Sequence, residues 1–126
     1  MIYFETGSTT SELSDQDIRE GLKQALDKIG PRKKVLALPP DITRYYSKAG
    51  QITEMAWEYY GDRLTDVLPA LGTHAAMTDA EISKMFGSVP ASLFRVHDWR
   101  NDVVTLGEVP ASYINEISGG KVNYPW

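Results

Sequence analysis

The chain has no cysteine, which excludes a disulfide framework, thiolate ligation of a metal and a cysteine nucleophile, and fits a reducing compartment. Histidine is limited to His74 and His97. No apolar run approaches the roughly 20 residues that a membrane-crossing helix needs, and Met1–Gly7 lacks a basic stretch followed by an apolar signal core. The chain is therefore expected to be cytoplasmic. An excess of positive charge is missing too: the formal net charge is −4, so nothing favours phosphate backbones or anionic lipid. The one tight basic cluster, Arg32-Lys33-Lys34, reads as a solvated edge that starts a strand. Internal repeats and low-complexity tracts are also absent.

What is present describes one globular domain over residues 1–126. The hydrophobic share of 42% and charged share of 24% are ordinary for a folded domain. A chain of this length is expected to bury roughly two thirds of its unfolded surface. Met1–Glu5 reads as a short edge strand, with Ile2 and Phe4 on one face. A helix is predicted from Ser14 as N-cap, with Asp15 and Asp17 at its positive end. Its stripe is Ile18, Leu22, Ala25, Leu26 and Ile29, and Gly30-Pro31 stops it.

Val35–Leu38, closed by Pro39-Pro40, reads as a strand buried on both faces. A second helix is predicted from residue 51 or 52 to Tyr60, with Trp57, Tyr59 and Tyr60 as core aromatics. Val67–Leu71 reads as another strand, although Pro69 argues against it. Thr78 and Glu81 have capping-box spacing ahead of a helix that Gly87 ends. Leu93–His97 and Val103–Leu106 read as strands, and Ala111–Ile117 as a helix ended by Gly119-Gly120. The alternation predicts an α/β fold: a mainly parallel sheet with helices packed on its faces.

Two strand-end loops draw the chemistry together, because ligands of open parallel sheets collect beyond the carboxyl ends of strands. The first is Pro39-Pro40-Asp41-Ile42-Thr43-Arg44, where Asp41 and Arg44 are spaced for a local ion pair and Thr43 for a bond to nearby backbone. The second is Leu71-Gly72-Thr73-His74-Ala75-Ala76-Met77-Thr78. Here glycine permits a tight turn, small alanines leave space, and His74 offers the side chain best suited to proton transfer near neutral pH. A surface or structural histidine remains the plainer reading of His74 taken alone. Ser118-Gly119-Gly120-Lys121 lacks the spacing of a phosphate loop and reads as a helix end and turn.

Asp41-Ile42-Thr43-Arg44 and Gly72-Thr73-His74-Ala75-Ala76-Met77-Thr78, taken together in order and separation, resemble two signatures of the amino-terminal domain of the lactate racemase family. The similarity runs from about Val35 to Leu106. It implies an isomerase, a racemase or epimerase of 2-hydroxy acids, in which a nickel-pincer nucleotide accepts hydride from the hydroxyl-bearing carbon while a histidine removes the hydroxyl proton. By that resemblance His74 is the first catalytic histidine and Arg44 is the arginine that positions substrate. Asp41 then orients these groups or contacts the cofactor. Thr43, Gly72 and Thr73 complete the candidate substrate- or cofactor-binding set.

Two departures bear on the substrate. Ala75-Ala76 stand where many relatives have Arg-Pro, and Tyr45-Tyr46 follow Arg44 where proline is common, so a hydroxy acid larger than lactate fits the pattern. The family's second histidine, nickel-binding histidine and cofactor-holding lysine belong to a carboxyl-terminal domain that this sequence lacks. The chain is thus expected to be a truncated part, inactive alone, holding no nickel-pincer nucleotide by itself and containing no nickel ligand. His97 is expected to be structural or supporting. The expected partners are a small 2-hydroxy acid and the missing carboxyl-terminal domain, not nucleic acid or membrane. The alternative is a non-catalytic module that binds a carboxylate or nucleotide through the same loops.

Overall fold

A computed structural model describes all residues, Met1–Trp126. Helix α1, Asp15–Ile29, starts where the sequence places it: the Ser14 hydroxyl accepts from the Asp17 amide, and the Asp17 carboxylate accepts from the Ser14 amide. All five residues of its predicted stripe are partly buried. That face meets helix α2, Ala49–Tyr60, through the Arg19–Glu58 ion pair and a bond from the Tyr59 hydroxyl to Asp27, 2.7 Å long. Met1–Glu5 forms no strand. It lies along α1, with the Phe4 ring filling the space that Gly21 leaves and the Tyr3 carbonyl accepting from Lys28.

Strands β1, Val35–Ala37, and β2, Leu64–Val67, pair in parallel across the α2 crossover, so the fold is α/β. β2 begins three residues before the predicted strand, and Pro69 lies outside it, consistent with its missing amide hydrogen. The ladder nonetheless reaches the loops, since Pro40 bridges Ala70 and the Ala70 amide bonds to the Pro39 carbonyl at 2.8 Å. On the other side of β2, Leu93–His97 contributes a single parallel bridge, Phe94 to Val67, instead of the predicted strand. A 3₁₀ turn over Ala91–Leu93 takes up the residues before it. Val103–Leu106 is unpaired and exposed, against the strand expected there.

The core is Tyr60, Leu64, Val67, Met85, Phe86 and Val89, with Val35, Ala37 and Trp57 packed against it. Helix α3, Asp79–Phe86, supplies Met85 and Phe86; it opens on the predicted capping box of Thr78 and Glu81 and stops at Gly87. β1 is not buried on both faces. Val35 and Ala37 turn inward, while Leu36 and Leu38 are 52% and 64% exposed. The helices described so far thus leave one side of this short sheet open. Helix α4, Ala111–Ile117, matches its prediction and lies in a carboxyl-terminal unit closed by paired backbone bonds between Val109 and Trp126. No helix is long and apolar enough to cross a membrane.

Candidate functional site

Because the ladder carries on to Pro40 and Ala70, the two loops that follow start side by side. Asp41 is the N-cap of a 3₁₀ turn over Ile42–Ser47: its Oδ1 accepts from the Thr43 amide at 3.0 Å and from the Thr43 hydroxyl at 2.6 Å. Opposite, Gly72 takes the left-handed conformation at φ +57°, and the His74 amide bonds back to the Leu71 carbonyl at 3.0 Å. This tight turn delivers the imidazole to the neighbouring loop, where Nδ1 meets Asp41 Oδ2 at 2.6 Å.

Asp41 is only 4% exposed, whereas the His74 side chain is 55% exposed. Burial pushes the Asp41 carboxyl upward in pKa, but the bonds from Thr43 and His74, with the attraction of a charged His74, outweigh it and hold the group below its ordinary value. Asp41 is therefore ionised at neutral pH and can only accept. The shared proton therefore sits on Nδ1 of His74, and Nε2 is without a protein partner. A carboxylate-oriented imidazole of this kind is the arrangement that general acid–base catalysis uses.

The structure thus brings Asp41, Thr43 and His74 together. It does not form the local Asp41–Arg44 ion pair expected from spacing; the Asp41 carboxylate bonds to Thr43 and His74 instead. Arg44 lies where the 3₁₀ turn breaks, at φ −106° and ψ 26°; its side chain is exposed and makes no ion pair or hydrogen bond. Thr43 bonds to a side chain as well as through its amide, and Thr73 is exposed without a side-chain partner. None of the five principal cavities is lined by Asp41, Arg44 or His74, so the dyad stands on an open rim and no such cavity joins it to Arg44.

His97 is apart from the dyad, and its Nδ1 is buried without a hydrogen-bond partner. No group of three or more His, Cys, Asp or Glu side chains converges to hold a metal ion. In the dyad Nε2 of His74 is without a partner, and the buried Asp41 carboxylate is turned to Thr43 and the His74 ring. These residues do not fit a protein-held nickel ion.

Sequence reading alone missed a cavity of about 190 Å³, built partly by the loop that carries His74 and lined mainly by apolar groups, among them Leu71, Ala76, Met77, Ile82 and Phe94. The small side chains at Ala75-Ala76 were its only signal. Much of its wall comes from the segments Val67–Leu71 and Leu93–His97, which read as regular strands.

No family model matches the chain, and no curated protein matches it. In solved structures it is similar to a structural-genomics protein from Thermotoga maritima, with a TM-score of 0.69 and 26% identity over 90% of this chain. The chain spans 29% of that protein's length.

Proposed function

We propose that this chain supplies the first acid–base group of a 2-hydroxy-acid racemase or epimerase. The observation that carries the reading is the 2.6 Å Asp41–His74 pair at a strand-end rim, with Nε2 free. Nε2 is placed to take the proton of the substrate's hydroxyl and the unpaired Arg44 guanidinium to neutralise its carboxylate, while the hydride on the hydroxyl-bearing carbon would go to the acceptor that the resemblance implies. Asp41 is a positioning residue: it fixes the tautomer and stabilises the imidazolium that forms.

The resemblance assigns the hydride acceptor to a nickel-pincer nucleotide, carried with the second histidine by a further domain. Two observations support an additional domain. The rim around His74 is open, and more than two thirds of the similar Thermotoga protein lies outside the matched part. On this reading the protein works in the cytoplasm on a small hydroxy acid, without nucleic acid or membrane.

The test is to express the whole reading frame around this chain with the cofactor-making enzymes and follow the stereochemistry of hydroxy acids. Activity that is lost in His74→Ala and reduced in Arg44→Ala supports the reading; activity unchanged in both overturns it. The unpaired Arg44 also favours a second reading, a non-catalytic carboxylate- or nucleotide-binding module. That reading predicts anion binding that depends on Arg44 and is indifferent to His74, with no racemisation by the whole frame.

A further inference from the structure

The loop that carries His74 also builds an apolar cavity, and the two together specify what kind of substrate this site would take. Leu71 and the Ala76-Met77 pair flank the histidine in sequence, and Leu71 accepts the bond that makes the His74 turn. Ile82 of α3 and Phe94 of the third parallel segment line it further. The volume of about 190 Å³ exceeds that of dry cavities of roughly 150 Å³ known to admit benzene.

The charged groups of the wall do not suit it to a carboxylate. Arg95 is the one cation among the lining residues, and its Nε is held by Asp66 at 2.9 Å while Nη1 bonds to the Ser92 and Phe94 carbonyls. Asp79, also in the wall, repels an anion. A hydroxy acid bound here therefore places its apolar end in the cavity and its carboxylate outside it.

We infer that this cavity is a substrate side-chain subsite, and that the hydroxy acid carries an aromatic or branched-alkyl group. The inference rests on the acid–base reading for its link to catalysis, but the cavity's occupancy can be tested without it. The 126-residue chain, labelled at its Ala, Met and Ile methyl groups, is titrated with 3-phenyllactate and with lactate and followed by NMR. Phenyllactate is expected to shift Ala76, Met77 and Ile82 saturably, with an affinity at least about tenfold above that of lactate, since lactate offers only a methyl group to bury.

Ala76→Phe, which fills the cavity, is expected to abolish those shifts. Failure of phenyllactate to move these methyl groups in the wild-type chain, or equal binding of lactate, overturns the subsite whether or not Ala76→Phe folds. If phenyllactate occupies the cavity but the whole frame racemises no hydroxy acid, the subsite stands and the catalytic reading falls.

Discussion

Asp41 does two things with one carboxylate: it caps the turn that begins the first loop, and it holds the imidazole of the second. Replacing it with asparagine should keep the cap oxygen but remove the charge that stabilises an imidazolium. On the acid–base reading, Asp41→Asn in the whole reading frame is expected to lower kcat more than it raises KM, by about 10²-fold or more. Arg44→Ala is expected mainly to raise KM.

The same carboxyl contributes to stability with a definite sign. Folded Asp41 binds its proton less readily than the unfolded residue, whose ordinary value is 3.8. Its contribution is therefore present above that value and lost as pH falls through the lowered one. Urea melts of the chain between pH 6 and 3 should show acid destabilisation that is shallower in Asp41→Asn by about 1 kcal/mol, a modest figure because a half-exposed partner weakens the pair. An identical slope in both proteins would remove Asp41 from the account. The partner of Asp41 could not be read from spacing, since a neighbour three residues away competes on paper with one 33 residues away and only the Pro40–Ala70 bridge decides between them.

Helix ends were legible because their chemistry is local. Ser14 with Asp17, and Thr78 with Glu81, each satisfy free amides within one turn, and Gly30 and Gly87 stop the helices with positive φ. Strands were less legible, because pairing is decided by distant chain. Leu93–His97 and Val103–Leu106 have strand-forming residues, yet one contributes a single bridge and the other finds no partner at all. β2 escaped notice at its start because Thr65 and Asp66 interrupt the apolar pattern; Asp66 is retained there by Thr65 and Arg95.

Helix packing hides a further constraint at Gly50. A β-carbon there would collide with the backbone carbonyl of Met85, so α2 and α3 touch only because this position is glycine. Gly50→Ala should cost about 1–3 kcal/mol by overpacking, despite alanine's better helix propensity, and lower the urea midpoint with little change of slope. Thr78→Ala, which removes a cap and no packing, should cost about 1 kcal/mol. If Gly50→Ala were neutral or stabilising, the close approach of the two helices would be wrong.

The chain as a whole exposes more than its mass warrants. Its accessible surface is 9246 Å², against about 6,700 Å² for a compact monomer of 14.1 kDa. Only 14 of the 126 residues are buried. Extended segments at the amino terminus and after His97 account for part of the excess, but its character matters more: Leu36 and Leu38 line the open side of the sheet, and Val103, Val104 and Leu106 are 65–100% exposed.

An excess of roughly 2,500 Å² is the size of an obligate interface. Because these side chains lie outside the core, Val104→Ser with Leu106→Ser should leave the unfolding free energy of the chain within about 0.5 kcal/mol. The pair should nevertheless weaken concentration-dependent self-association in sedimentation velocity and reduce binding of a hydrophobic dye, because apolar surface drives both. If the double variant unfolds more readily while its association is unchanged, these residues belong to the core of this unit and not to a surface that another part of a larger protein covers.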